Sequence, residues 1–311
     1  MQRRCGDQNV ALSAPKPGFI IRDMRPEDKD AVLAYSQDTW EWGDYLPQVL
    51  DQWLLDAAST VRLGATDLDE PIGSYRYTRL NETEGWLSGL RVRTDVRGQG
   101  VAGLLFEDAL ALAHDDGLRV LRYASEITNE AVYSLSRATA FSPRGTWLTF
   151  ERAMDSAACA LGRGKTTLGE TAPLGAADRP RILSLLRSSG HNLYAADWMW
   201  RALDDAALGH LVEQGRAFLA RSGVGGWSVA VVGSRDEHRI EVTLHGDDSA
   251  CTQSLIEFLK RMACDSPEGV TLTLHVQQND PSANLLASLA RRGEWRAVME
   301  QPLRIWERQL G

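Results

Sequence analysis

The chain has 311 residues, 43% of them hydrophobic and 24% charged, with a formal net charge of −8. That length makes two domains the natural prior, and the composition is that of a folded globular protein. The negative charge argues against nucleic acid as a partner and favours neutral or cationic ones, and no apolar run approaches the roughly 18 residues that would span a membrane.

Residues 1–17 carry Arg3 and Arg4 with no apolar run behind them, so they read as a disordered arm, not a secretory signal, and a cytoplasmic protein is expected. Cys5, Cys159, Cys251 and Cys264 stand far apart without a C-x-x-C pair, the usage of free thiols in a reducing compartment. That pattern argues against zinc, the six histidines show no ligand spacing, and no metal is expected.

Pro26 with Glu27 and Asp28 at the positive end of the helix dipole predicts a helix over 27–38. The stretch Thr39–Pro47 is aromatic, acidic and irregular, and a second helix follows through Trp53 and Leu54. It reads either as a hydrophobic loop with Trp40 and Trp53 in the core, or as a wall for an amine substrate. Residues 60–66 and 72–79 read as an antiparallel pair joined by the turn Asp67–Pro71. A turn at Asn81–Gly85 leads into an apolar strand from Trp86 to Val92.

A polar turn and a Gly-rich loop, Arg97-Gly98-Gln99-Gly100-Val101-Ala102-Gly103, then open into a helix. Its Ala102, Leu105, Phe106, Ala109, Leu112 and Ala113 fall on one face. First-turn N–H groups lack partners inside a helix and the dipole favours negative charge there, so this junction is a candidate anion site, with Arg97 at its mouth. No Gly-Lys-Ser/Thr follows, which excludes a Walker A loop. The loop alone leaves open a tight strand-to-helix connection and a dinucleotide-binding βαβ unit, since Gly98, Gly100 and Gly103 have that spacing.

Arg97-x-x-Gly100-x-Ala102 resembles the acetyl-CoA pyrophosphate loop of the GNAT acyltransferase superfamily. The likeness extends in order over about residues 18–152. Ile20-Ile21-Arg22-Asp23-Met24-Arg25-Pro26-Glu27-Asp28 is similar to that family's opening strand and helix start. Leu90-Arg91-Val92 is similar to its fourth strand, and Asn129, a helix and Phe141 to its second coenzyme motif. Gly43-Asp44-Tyr45-Leu46-Pro47, Trp53-Leu54 and Gly89-Leu90-Arg91-Val92 resemble the histidine N-acetyltransferase-like branch, which implies an amino-acid-like acceptor acetylated on its α-amine.

The resemblance implies an α/β fold of the mixed-sheet, α+β kind. In it a fifth strand, 118–124, splays from the fourth to hold the pantetheine arm, and 145–152 closes the domain. It implies acetyl-CoA as cosubstrate, held by Leu90, Arg91, Val92, Arg97, Gly98, Gln99, Gly100, Val101, Ala102, Gly103 and Asn129. It also implies an acceptor wall of Glu41, Trp42, Asp44 and Tyr45. A tetrahedral oxyanion requires a fixed donor, for which the Val92 N–H is suited. The amine requires a base, for which Glu126, Glu84 and Glu41 are candidates. Ser88 stands where the branch has an acid, Ser136 where many relatives have the Tyr that protonates the thiolate (Tyr133 lies one turn earlier), and Ala140 where they have Gly.

Asp155–Lys165 is a small-residue linker within residues 154–168, and the pattern then restarts. Leu174-Gly175-Ala176-Ala177-Asp178 echoes Met24–Asp28. Strands are expected at Trp227–Val232, Arg239–Leu244, Val270–Val276 and Arg296–Trp306. Helices are expected at Ser249–Met262 and after Asn279. The spacing predicts a repeat of the whole fold, a tandem GNAT arrangement with domains at 18–153 and 169–311. In the second copy His245-Gly246-Asp247-Asp248-Ser249 replaces the loop, and its acids would cap a helix while repelling a diphosphate, so that copy is expected to be degenerate. The expected activity is acetylation of a primary amine of a small molecule in a ternary complex, with a homodimer left open. The alternative is a noncatalytic acyl-CoA-binding or sensor protein.

Overall fold

The computed structural model describes residues 18–37, 39, 43–161, 170–266 and 269–311. The expected arm at 1–17 and most of the expected linker lie outside the described residues, as do Trp40, Glu41 and Trp42. Two compact units result, one of residues 18–121, 134–141 and 308–311, the other of 122–133 and 142–307.

In the first unit β1 (Phe19–Asp23) is followed by α1 (Lys29–Ser36), α2 (Leu46–Leu55), β2 (Ser59–Thr66), β3 (Pro71–Arg79), β4 (Glu84–Val92) and α3 (Val101–Asp115). The strands lie antiparallel in the order β1-β2-β3-β4. Val61 and Leu63 of β2 face Val32, Leu46, Leu50 and Trp53 of the first two helices. Their even-numbered neighbours point to the opposite face, because side chains alternate along a strand. There Arg62 grips Asp108 of α3 through two hydrogen bonds of 2.8 and 2.9 Å, and the Tyr75 hydroxyl donates to the same carboxylate at 2.6 Å. The chain enters α1 through a turn in which Asp28 accepts the Arg25 N–H at 2.8 Å and pairs with Arg22. That local bonding is what the Arg-Asp-x-Arg-Pro-x-Asp run encodes.

Strand β5 (Val120–Glu126) and helix α4 (Glu130–Ala138) contribute residues to both units. The second unit continues with β6 (Ser142–Met154), α5 (Ser156–Leu161), β7 (Glu170–Pro173), α6 (Arg179–Ser189), the hairpin β8 (Leu193–Ala196) and β9 (Met199–Ala202), and α7 (Asp205–Glu213). Then come β10 (Ala217–Arg221), β11 (Trp227–Arg235), β12 (Arg239–Gly246), α8 (Ser249–Cys264), β13 (Val270–Gln277), α9 (Pro281–Arg291), β14 (Arg296–Ala297) and β15 (Leu303–Gln309). The strand order is β5-β15-β6-β13-β12-β11-β10-β7, with β14 also on β6. The pair β12–β13 is parallel, and α8 is the crossover such a pair requires. Leu255 and Leu259 of α8 share one core with Val242, Leu272 and Leu274, while Leu186 and Leu208 of α6 and α7 share another with Leu219 and Val229. Strands covered on both faces become continuous apolar runs, which is why Trp227–Val232 is buried throughout.

Equivalent backbone turns open the two halves of the chain. Met24 N–H donates to Val61 O at 2.8 Å and Asp28 N–H to Arg25 O at 3.0 Å. In the second half Leu174 N–H donates to Ala217 O at 2.8 Å and Asp178 N–H to Gly175 O at 3.1 Å.

Two expectations require correction, and one element is added. The strand expected over 296–306 is two strands, β14 and β15, and β15 returns to lie between β5 and β6. Cys159 and Cys264 form a disulfide with Cα atoms 5.6 Å apart, so they are not free thiols; Cys251 is free and buried. The hairpin β8–β9 was not anticipated, since four-residue strands are too short to show a period. Its turn residues Asp197 and Trp198 have φ of 55° and 60°, uncommon for non-glycine residues. The buried Glu241 carboxylate accepts both of their N–H groups, at 2.5 and 3.1 Å, and pairs with His275 Nε2 at 2.7 Å. Burial alone would raise the Glu241 pKa, but those bonds, His275 foremost, bring it down to about 2.

Candidate functional site

Strand β4 is interrupted near its C-terminal end. Its pairing with β3 runs to Arg76↔Ser88 and resumes at Ser74↔Arg91, so Tyr75 alone stands opposite Gly89 and Leu90. This is a β-bulge, which bends a strand and re-aims its groups. Gly89 makes it possible: its φ is +64°, and a Cβ there would fall 2.6 Å from the Trp53 ring. Beyond the bulge Arg93 N–H donates to Ile72 O at 2.8 Å. Backbone bonding alternates along an antiparallel strand, so the Val92 N–H points away from β3.

From Val92 the chain passes through a single turn, Thr94–Val96, into α3. Gly100 occupies the N-cap with φ +89° and contributes no side-chain cap. The backbone bonds here are Val96 to Arg93, Arg97 to Thr94, Gln99 to Val96 and Leu104 to Gly100. Among the described residues the N–H groups of Gly98, Gly100, Val101, Ala102 and Gly103 meet no acceptor. Five amides without an acceptor thus lie at the positive end of a 15-residue helix dipole. Arg97 is exposed; its Nε donates to Val92 O at 3.1 Å, and Gln99 Nε2 donates to Asp95 O at 3.2 Å. Leu90 is half-buried, and Val101 is buried against the sheet.

Several residues assigned from sequence to binding or catalysis are engaged elsewhere. Asp44, expected to face the acceptor, is buried and takes two hydrogen bonds from Arg91, at 2.6 and 3.0 Å, while its Oδ1 also accepts the Leu46 N–H. Burial opposes ionisation of Asp44, but the Arg91 guanidinium holds its carboxyl below the usual range. Arg91, expected at the coenzyme, is therefore the partner of this acid, with its guanidinium carbon 5.2 Å from the Tyr45 ring centre. Tyr45 in turn packs edge-on against Trp53, 6.0 Å between centroids. Glu41 and Trp42 lie outside the described residues. Glu84 is buried in the Asn81 turn at the opposite end of β4 from Val92, roughly 26 Å away at about 3.3 Å per residue. That distance removes it as a base for chemistry at Val92. Ser136 is completely buried, which removes it as a donor to a departing thiolate. Ser88, just before the bulge, has a buried hydroxyl with no partner.

In the second unit Glu126 ends β5, half-buried. Its pKa is raised, first by burial and then by the neighbouring Glu300. Asn129 is exposed and caps α4, accepting the Val132 N–H at 3.1 Å. Tyr133 is 43% exposed, and its ring lies edge-on to Trp306, 5.6 Å between centroids. Trp306 also stacks on Tyr123 and donates to Ser125 Oγ at 3.0 Å. Nothing in the sequence near β5 points to Trp306, which arrives on β15.

The helix that follows β12 has a different start from α3. Asp248 caps α8, accepting the Ala250 and Cys251 N–H groups at 2.7 and 3.0 Å, and Asp247 accepts the Trp227 N–H at 2.9 Å. Two first-turn amides of the kind that α3 leaves available are here taken by Asp248, whereas Asp247, also expected to cap the helix, bonds β11 instead.

Residues 29–138 match the family model described as Acetyltransferase (GNAT) family. A histidine N-acetyltransferase of Oreochromis niloticus is 40% identical over 80 residues, which cover 25% of this chain and 23% of that protein. The match thus spans about a quarter of the relative's length. Among solved structures, a GCN5-related N-acetyltransferase of Sphaerobacter thermophilus aligns over 94% of this chain and 96% of its own, with a TM-score of 0.54 and 12% identity. An acetyltransferase candidate from Thermoplasma acidophilum aligns over 93% and 99%, with a TM-score of 0.53 and 17% identity. Likenesses at such identity show the fold, and they show it over nearly the whole chain.

Proposed function

We propose that the chain is an acetyltransferase of the GNAT family, whose model matches residues 29–138, and that it transfers the acetyl group of acetyl-CoA to the primary amine of a small molecule. The observation that carries this reading is the start of α3, where five unengaged amides and Arg97 flank a glycine N-cap in the sequence, one turn after a bulged strand. A diphosphate is the ligand such a cluster fits, since it supplies several anionic oxygens to N–H donors without a side chain in the way. The likeness to a histidine N-acetyltransferase, confined to a quarter of each protein, supports an amino-acid α-amine as the acceptor. The two halves of the chain are read as tandem copies of one fold, the second having exchanged its anion site for the Asp248 cap.

The reaction is a direct attack. The neutral amine adds to the thioester carbonyl, the Val92 N–H is assigned to the developing oxyanion, and the collapsing intermediate expels the coenzyme thiolate. Glu126 is assigned as the base, because a raised carboxyl pKa makes it a better acceptor of the ammonium proton. Ser136 is not assigned as the acid, and the coenzyme thiolate is a leaving group that departs without protonation.

The buried Ser136 and the Ser88 in place of an acid favour a second reading, a noncatalytic acyl-CoA-binding protein. Incubation with acetyl-CoA and a panel of amino acids and simple amines, followed by free-thiol release, separates the two. Turnover with at least one amine is expected. Coenzyme binding without release from any amine would replace the first reading with the second.

A further inference from the structure

The second unit brings together two imidazoles and a carboxylate away from the α3 loop. His191 follows α6, whose C-terminal Gly190 has φ +71° and turns the chain so that the His191 N–H bonds Leu186 O at 2.9 Å. His245 lies near the end of β12, and Asp280 is the N-cap of α9. One ligand atom from each of the three lies within 4.8 Å of the others.

His245 is the feature that requires explanation. It is 0% exposed, and among the described residues neither ring nitrogen has a hydrogen-bond partner; the Leu193 backbone group beside it does not reach hydrogen-bond geometry. Buried polar groups are nearly always satisfied, and each one left unmade costs about 1–3 kcal/mol. The Trp147 indole N–H, on a ring 6.2 Å from the His245 ring, is also buried and unpartnered. Asp280, by contrast, is firmly oriented: Oδ2 accepts the Gly246 N–H at 3.0 Å and Oδ1 the Ser282 N–H at 2.8 Å. A carboxylate aimed by backbone donors beside two imidazoles is the arrangement that outer-sphere bonds create around metal ligands.

We propose that His191, His245 and Asp280 bind a divalent transition cation of the Zn²⁺ class. The dimensions agree. Tetrahedral zinc with bonds of about 2.0–2.2 Å places neighbouring ligand atoms roughly 3.4 Å apart, and His191 Nδ1 stands 3.3 Å from Asp280 Oδ2. A His245 ring nitrogen lies within 4.8 Å of both, and binding draws that imidazole in to complete the set. The cation accepts its lone pair and offsets the buried Asp280 charge, and three protein ligands leave a fourth position for water. His191, with a side chain 12% exposed, is the side from which an ion enters.

The test is a titration of chelator-treated protein with Co²⁺, read by its visible d–d absorption, and with Zn²⁺ in competition with a chromophoric chelator. One equivalent per chain is expected, with micromolar or tighter affinity, and Mg²⁺ should not compete. His245→Ala, Asp280→Asn and His191→Gln should each weaken Zn²⁺ binding by more than the roughly 10–100-fold that losing an outer-sphere partner costs. Replacing the exposed His114 and His238 should leave it unchanged. If the two buried variants do not fold, His191→Gln decides the matter together with the Zn²⁺-dependent rise in Tm of the wild type, which that variant should lose. Absence of saturable Zn²⁺ binding in the wild type, or equal affinity in His191→Gln, overturns the site. Neither result depends on acetyl transfer.

Discussion

Glu126 joins two consequences of one environment. Burial and the Glu300 charge disfavour its ionised form, so its carboxyl titrates above the ordinary glutamate value. As a base it must be ionised, so kcat/KM should fall with acid along a limb whose midpoint lies above that of a free glutamate. Glu126→Gln should lower kcat by roughly 10²–10⁴-fold, the usual contribution of a general base, and should abolish that limb. A carboxyl whose folded pKa exceeds its unfolded one withdraws stability as pH rises past the unfolded value. The same variant should therefore have a higher Tm at neutral pH, and the gain should vanish below the pKa of an ordinary glutamate. A pH–rate profile and thermal melts at two pH values check both. Other acids had the same appearance in the sequence. Asp44 and Glu84 differ from Glu126 in what surrounds them, the Arg91 guanidinium for one and the Asn81 side-chain amide for the other, and the Arg91 partner, 47 residues away, could not be read from the residues beside Asp44.

At the scale of elements, the start of α3 is a local structure and was legible in full. Strand, turn, glycines and helix are contiguous, and backbone geometry does the rest. Gly100→Glu tests it: a negative side chain at the positive end of the dipole should raise the Kd for coenzyme A by at least about 100-fold. The left-handed backbone there should cost the fold only about 1–2 kcal/mol. Isothermal titration and circular dichroism separate the two effects; unchanged affinity in a folded variant would refute the loop assignment. The chain tolerates such strain elsewhere. Ala140 holds φ +57° after α4, and the Phe141 N–H bond to Ser136 O at 2.8 Å closes that turn in spite of the methyl group. The bulge at Gly89 was not legible, because it depends on the register of β3 against β4 and on the Trp53 ring pressed against it.

At the scale of the molecule, the second unit is held by links of long sequence separation. The Cys159–Cys264 bridge spans 105 residues. Closing a loop of that length in the unfolded chain stabilises the fold by up to about 5 kcal/mol in the loop-entropy account. Cys159→Ser, or reduction, should accordingly lower stability by roughly 2–5 kcal/mol, seen as a lower urea midpoint. Quantitative thiol labelling of the unfolded, non-reduced protein should find two fewer reactive cysteines than the four in the sequence. Full labelling would show that the bridge does not form.

What the sequence by itself determined was whatever a short window contains: the alternation of β2 and β3, the apolar face of α3, the glycine loop before it, and the Asp248 that caps α8. Each follows from backbone propensity and side chains a few residues apart. Tertiary structure alone decided that Arg91 neutralises Asp44, that β15 comes back beside β5 and β6, that Cys159 finds Cys264, and that His191, His245 and Asp280 meet. These contacts join residues tens to more than a hundred positions apart, and no local periodicity or spacing encodes a distance that only the path of the folded chain creates.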